Sequence, residues 1–350
     1  MIFESIHDLE TPSVLIDLDR MGRNILAMQK RCDDLGIQFR PHIKTHKIPD
    51  IARRQVEAGA SGIACQKVSE AEVFAAAGFD DIQIPYNIIG KRKTQRLAAL
   101  AKRIKVTVTV DSWAAVDGIA AAAHEAGATV NMMVELVALN HRTGTTPENA
   151  VELAQHIRAT DNLHFVGVMI YPSDAAIRPR LQKTLSLLEA ASIEVETVSG
   201  GGSGAILEAH LLPELTEMRV GTYVFWDWGS VANGLTTFDS CAMRIRATVV
   251  SANEPSRIIL DSGSKTVNSE TVNGLFGYIV EYPDARFYKV NEEHGYLDCS
   301  DCAAIPKVGD IVHIIPVHTC IVTNLHNRIY GVQGDAIKQS WDVAARGLVW

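Results

Sequence analysis

The sequence lacks any run of about 18 apolar residues, which excludes a membrane-spanning helix. Its opening residues, Met1-Ile2-Phe3-Glu4-Ser5, have neither the basic nor the apolar region of a secretory signal. Cysteine is sparse and scattered: Cys32, Cys65, Cys241, Cys299, Cys302 and Cys320 in 350 residues suit reduced thiols rather than a disulfide framework. The expected compartment is therefore the cytoplasm. Basic clusters are also scarce. The net charge is −8 with acids and bases interleaved, which excludes a basic face for nucleic acid and a polybasic patch for a membrane surface. No Pro/Gly/Ser-rich linker and no internal repeat is visible, so any two domains are expected to abut.

What the sequence does contain is an alternation. The hydrophobic content of 47% and charged content of 21% are ordinary for a globular enzyme, and 350 residues exceed the usual single domain. From residue 13 to about 233, short apolar runs alternate with alanine-rich helical patterns, several of which end in glycine (Gly36, Gly59, Gly78, Gly127). The runs predict strands at 13–18, 37–41, 62–65, 81–85, 106–110, 129–136, 165–170, 196–199 and 217–224. Strand–helix–strand units at this spacing call for parallel pairing, and eight or nine of them favour a closed (β/α)₈ barrel, here over residues 13–235. After residue 236 the pattern changes to short alternating strands and turns, among them 243–250, 257–260, 279–282, 311–316, 328–332 and 342–345. The expected architecture is thus a TIM-type α/β barrel followed by a smaller antiparallel β domain over 236–350, with residues 1–12 assigned to it.

One stretch stands out chemically. Arg40-Pro41-His42-Ile43-Lys44-Thr45-His46-Lys47 follows a predicted buried strand and holds two lysines, two histidines and an arginine with no acid among them. A lysine crowded by cations is pushed toward its nucleophilic amine, the form that attacks a carbonyl or holds a Schiff base. A solvated basic loop is the bland alternative. In a barrel, side chains after the strands line the active site, and the polar residues there include Asn140-His141-Arg142 and Tyr171. Late in the alternation comes Ser199-Gly200-Gly201-Gly202-Ser203-Gly204, a glycine-rich turn that exposes successive N–H groups as a phosphate cradle does. An early Schiff-base lysine and a late phosphate turn are the two handles that pyridoxal phosphate requires.

With these residues in view, the sequence resembles the D-threonine aldolase and D-serine dehydratase family, whose barrel is of the alanine racemase type (fold type III). The matching segments include Thr11 to Asp17, Arg40 to Lys47, Ser199 to Gly204, Gly221 to Phe225, Asp261 to Lys265, Glu292 to Gly295 and Pro316-Val317-His318-Thr319-Cys320. The resemblance implies that Lys44 binds the cofactor covalently and that Gly201, Gly202 and Ser203 hold its phosphate. It places Arg142 near the cofactor's phenolic oxygen and Tyr171 and Tyr223 near its ring. His318 and Cys320 match the family's metal position; imidazole and thiolate two residues apart on a strand point the same way, and both suit Zn²⁺, with Mn²⁺ as the alternative. Cys299-x-x-Cys302 offers a second arrangement, a closed structural zinc site built with His318 and Cys320.

The implied activity is that of a lyase on β-hydroxy-D-amino acids, leaning toward a D-serine or 3-hydroxy-D-aspartate dehydratase. Retro-aldol cleavage of the D-threonine aldolase type is the alternative, and a racemase of the same fold stands behind both. The lean rests on two departures. Family aldolases carry a histidine six residues after the strand-seven tyrosine, where this chain has Ile177, and the dehydratases are the members best known for a His-x-Cys pair. The family also implies a homodimer, with a small molecule as its other partner.

Overall fold

The computed structural model describes residues 4–350, which fall into two compact units. One comprises Met28–Lys44, Pro49–Gly221 and Leu348–Trp350. The other comprises Thr45–Ile48, Thr222–Gly347 and the described residues up to Ala27.

The chain enters on β1 (Ser13–Asp17) and then lays down eight strands of the first unit: β2 (Gln38–Phe39), β3 (Ile63–Ala64), β4 (Asp81–Ile84), β5 (Lys105–Val110), β6 (Val130–Leu136), β7 (Leu163–Ile170), β8 (Thr197–Gly201) and β9 (Glu217–Arg219). All pairings among these eight are parallel, in the order β2-β9-β8-β7-β6-β5-β4-β3. The sheet curls until its end strands meet: Ala64 N–H donates to Pro41 O at 2.9 Å, and a parallel bridge joins His42 to Ala64. The helices between strands follow from local sequence. Trp113–Ala126 buries Ala115, Val116, Ile119, Ala122 and Ala123, spacings of three and four that make one apolar stripe, and stops at Gly127 in the left-handed region. Pro147–Arg158 starts where the Thr146 hydroxyl accepts from Asn149 N–H, with proline in the first turn.

A buried ion cluster spans the inside of the barrel. Arg40, just past β2, donates from Nε to Glu217 on β9 and from Nη1 to Asp81 on β4, both at 2.6 Å. The space for this guanidinium exists because residue 62 is glycine: a Cβ there would lie 2.3 Å from Arg40 Nη1 and 2.7 Å from Asp81 O, at a φ of +155°.

The second unit contains β1 and eight further strands: β10 (Met243–Glu254), β11 (Arg257–Leu260), β12 (Gly277–Ile279), β13 (Arg286–Val290), β14 (Gly295–Asp298), β15 (Ile311–Pro316), β16 (Arg328–Gln333) and β17 (Ala336–Asp342). They run β13-β14-β11-β10-β1-β16-β17, with β15 pairing both β10 and β12. Every pairing is antiparallel except β1 with β16.

The expected barrel and antiparallel sheet are both present, but their boundary differs from residues 13–235 and 236–350. β1 is not a barrel strand; Leu15 faces Arg244 on β10 and Tyr330 on β16. Four of its five residues are buried, so its apolar run looks the same as that of a parallel barrel strand. The other edge of the barrel falls at Gly221 rather than residue 235. The expected strand 217–224 ends at Arg219, and Thr222–Val224 forms a 3-10 turn. Residues 5–9 join β1 and β16: Ser5 bridges Ala336, and Ile6 and Leu9 pack with Leu15 and Val332.

Two outcomes follow for stability. Glu217 is buried against Arg40, and removing one partner of such a pair costs about 3–5 kcal/mol. Glu217→Gln should lower the urea-derived unfolding free energy by that order, and a loss below about 1 kcal/mol would contradict the pairing. His326, with Nε2 against Thr266 O at 3.2 Å, has its proton affinity lowered from the ordinary 6.5 by burial, and further by Arg346, against the bond to Thr266. Because the folded value lies below the unfolded one, its contribution is fully present above pH 6.5 and is lost as the pH falls from there to the folded value. His326→Gln should flatten the decline of melting temperature with acid over that window.

Candidate active site

At the mouth of the barrel three side chains from different strand ends meet. Lys44 lies in the 3-10 turn Ile43–Thr45 after β2 and is half-buried. Its Nζ stands 5.9 Å from the centroid of the Tyr171 ring, and the Arg142 guanidinium stands 4.5 Å from the same centroid. Tyr171 directly follows β7, and Arg142 sits in the loop after β6, its N–H donating to Asn140 Oδ1. Two cations beside one aromatic ring suit an anionic, planar ligand. Beside them opens a cavity of about 450 Å³ lined by Gln66, Tyr86, Asn87, Glu135, Arg142 and Thr143. Burial raises the Glu135 carboxyl above its usual range, against the Thr143 hydroxyl that donates to it at 2.8 Å.

The glycine turn is built to be narrow. A Cβ on Gly200 would lie 2.7 Å from Ser173 Oγ, and one on Gly201 would lie 3.1 Å from Arg219 Nη2 and 3.2 Å from Tyr171 Cδ2. Gly202 has a φ of +121°. The amides of Gly201 and Gly202 are already engaged, with Ser173 Oγ and Arg219 O. Those of Ser203 and Gly204 make no hydrogen bond among the described residues. The predicted cradle therefore offers its free donors from Ser203 onward, while Gly201 and Gly202 contribute space. Under the turn, Arg219 is buried and donates to Ser199 Oγ, Ser199 O and Ile170 O, and burial lowers its pKa to about 10.

The cation cluster around Lys44 is not the unneutralised group that its sequence implies. Arg40 is paired with Glu217 and Asp81, His42 Nε2 bonds Gln66 Oε1 at 3.0 Å, and Lys47 Nζ donates to Asn324 Oδ1 at 3.0 Å. The acids come from strands far away in sequence. Arg40 is thus neutralised by acids, while His42 and Lys47 are held by uncharged amides.

In the second unit, His318 and Cys320 do not lie on one strand. His318 is the extended residue that precedes the helix Thr319–Leu325, and Cys320 is in its first turn. Their side chains are nevertheless within hydrogen-bonding reach of each other. His318 Nδ1 lies 2.9 Å from Asp227 Oδ2, and Thr45 Oγ1 lies 3.3 Å from Cys320 Sγ. Burial opposes protonation of His318, but its bonds to Asp227 and Cys320 prevail and push the imidazole up to about 11. One imidazole and one thiol side by side fit Zn²⁺ and leave coordination positions open. The four-ligand alternative is overturned: Cys299 and Cys302 are free thiols that hydrogen-bond each other, and no group of three or more His, Cys, Asp or Glu among the described residues could hold a metal ion. Tyr223, expected near the cofactor ring, is wholly buried in the 3-10 turn Thr222–Val224.

Comparison with known proteins covers both of these regions of the chain. Residues 16–227 match the alanine racemase N-terminal domain, and residues 242–332 match a putative serine dehydratase domain. D-threonine aldolase from Arthrobacter sp. is 32% identical over 97% of this chain and 93% of its own. The chain belongs to the D-threonine aldolase and D-serine dehydratase family. It is accordingly an enzyme of the pyridoxal phosphate-dependent lyase group. Within the family, D-threo-3-hydroxyaspartate dehydratase from Delftia sp. (strain HT23) is 29% identical over 97% of this chain and 98% of its own. The crystal structure of D-threonine aldolase from Filomicrobium marinum superposes with a TM-score of 0.91 at 30% identity, covering 100% of this chain and 99% of that one. A D-threo-3-hydroxyaspartate dehydratase with a cysteine changed to alanine, described as metal-free, gives 0.88 at 26% identity, over 97% and 99%. No described helix is long and apolar enough to cross a membrane.

Against this family background, sequence reading missed Asp227, Thr45, Glu135 and Arg219. For Asp227 a local signal existed, since Asp227-Trp228-Gly229-Ser230 places an acid where a helix begins. For the other three, only the fold supplies the partner.

The turn geometry gives a direct test. A side chain at Gly202 is strained by about 1–3 kcal/mol, whereas Gly204 has right-handed helical angles. Gly202→Ala should weaken binding of pyridoxal phosphate about tenfold in an absorbance titration, and Gly204→Ala should not. Equal affinities for the two variants would remove the turn from the phosphate site.

Proposed function

We propose that the protein is a pyridoxal phosphate- and metal-dependent dehydratase of β-hydroxy-D-amino acids, with D-serine and 3-hydroxy-D-aspartate as its lead substrates. The observation that carries this reading is the pairing of His318 with Cys320, with Asp227 behind the imidazole and Thr45 against the thiol. A racemase has no use for such a pair. The similar D-threo-3-hydroxyaspartate dehydratase, solved with a histidine changed to alanine and, in a metal-free form, with a cysteine two positions later changed to alanine, supports the same choice.

Bound pyridoxal phosphate supplies an electron sink for the carbanion at the substrate Cα. Lys44 is the residue suited to anchor it and, once released, to take the Cα proton on its Nζ. Arg142 and Tyr171 suit the planar ring, and the amides from Ser203 onward suit the phosphate. A metal held by His318 and Cys320 would act as a Lewis acid on the β-oxygen and ease its departure as hydroxide. The products are then a keto acid and ammonia.

Aldol cleavage differs in the proton removed, because it needs a base for the β-hydroxyl. Ile177 stands where family aldolases place a histidine, and it is buried with an apolar side chain that cannot serve. One observation keeps the second reading open. The Asp174 carboxyl, three residues after Tyr171, has its pKa raised by burial and then by Glu208, the direction in which a carboxylate becomes a stronger base.

Incubation with D-serine, D-threonine and 3-hydroxy-D-aspartate in the presence of Zn²⁺ or Mn²⁺ distinguishes the readings. Keto acid with ammonia is the expected result, glycine with aldehyde indicates the aldolase, and neither product sinks the lyase assignment to these substrates. Lys44→Ala should abolish the visible absorption band of the cofactor and lower the rate by more than about a thousandfold.

A further inference from the structure

Asp227 is a buried carboxylate with an arrangement that a helix cap does not explain. Its Oδ1 accepts from the Ser230 N–H at 2.8 Å and the Ser230 hydroxyl at 2.5 Å, which caps the helix Trp228–Ala232. Capping needs only that one oxygen, and a serine or threonine would cap as well without burying a charge. The second oxygen, Oδ2, faces His318 Nδ1 at 2.9 Å and the Thr319 N–H at 3.3 Å.

We infer that Asp227 is the positioning residue that selects which nitrogen of His318 is open to a metal. This rests on the metal-dependent reading above and extends it to a residue that touches no ligand. A carboxylate offers only acceptors, so the bond to Asp227 Oδ2 keeps a proton on Nδ1 and makes Nε2 the nitrogen that gives up its proton to a metal. Imidazoles that bind metals depend on such a partner for both their tautomer and their orientation.

The carboxylate is itself held in place before any ligand arrives. Gly229 N–H donates to Val317 O at 3.1 Å, and a Cβ on Gly229 would approach that oxygen to 2.9 Å. With the Thr319 N–H on Oδ2, residues 227–230 are clamped to both sides of His318. The distance from Asp227 to the imidazole is therefore set by backbone contacts, which is how a pre-organised site avoids rearrangement on binding.

Asp227→Asn separates this role from capping. Its amide oxygen can keep the bonds to Ser230, while its NH₂ group then opposes the Nδ1–H. The ring must turn or move its proton to Nε2, the nitrogen the metal needs. Zinc affinity of the purified full-length wild type and variant, measured by competition with a chromophoric chelator, is expected to fall about 10- to 100-fold, with the pyridoxal phosphate band retained. Tight zinc binding by the wild type with equal affinity in the variant overturns the inference alone. A wild type that binds no zinc overturns the metal reading and the inference with it. Should the variant not fold, ¹⁵N spectra of imidazole-labelled wild type decide the matter: a protonated Nδ1 with and without zinc supports the assignment, and zinc on Nδ1 ends it.

Discussion

The barrel depends on one guanidinium. Arg40 joins three of its strands from the inside, reaching Glu217 on β9 and Asp81 on β4 from the end of β2. Few side chains other than arginine could do so, because the two carboxylates lie on opposite sides of a planar fork. Burial would by itself lower the pKa of Arg40, but the two carboxylates together hold it above the usual range. Gly62 is a direct consequence, since any side chain there would occupy the place of the guanidinium. Lys44 follows four residues later, so the seam that closes the sheet also sets the starting point of the segment that carries it.

Much of the site is organised by the same device of polar groups buried in mutual satisfaction. Ser173 holds the Gly201 amide, Arg219 carries Ser199 and the end of β7, and Asp227 joins a helix start to an imidazole. In each case a side chain outside the reacting atoms fixes one that is suited to touch them. Partners of this kind determine how much of the geometry is present in advance and how much has to be assembled on binding.

The sequence disclosed the parts of this structure that depend on local pattern. Helix stripes such as Ala115 to Ala123, the glycine stops and the parallel alternation were legible because each is written within about fifteen residues. Partners were not. β1 has the burial of a barrel strand but the neighbours of an antiparallel sheet, and apolar content does not say which sheet will take it. The hairpin of β13 and β14 escaped notice because Phe287, Tyr288, Tyr296 and Leu297 alternate over only a few residues each. The cationic stretch at Arg40 was visible, yet its chemistry was misjudged for the same reason: the acids that neutralise Arg40 stand 41 and 177 positions away. His318 and Cys320 were found through motif resemblance, and the backbone then brought them together by a helix start rather than by strand alternation.

The position of β1 has a consequence for how the chain is made. The strand lies inside its sheet, antiparallel to β10 on one side and parallel to β16 on the other. Val14 therefore waits for Ile245, and Ile16 for Gly331, although these segments leave the ribosome long after it. Over that interval the eight parallel strands of the other unit are all synthesised. An apolar segment kept without its neighbours for so long is exposed to wrong pairings, and contacts of such wide sequence separation form slowly. The same topology makes β1 the bridge between β10 and β16, so that its loss would unpair both of these late segments at once.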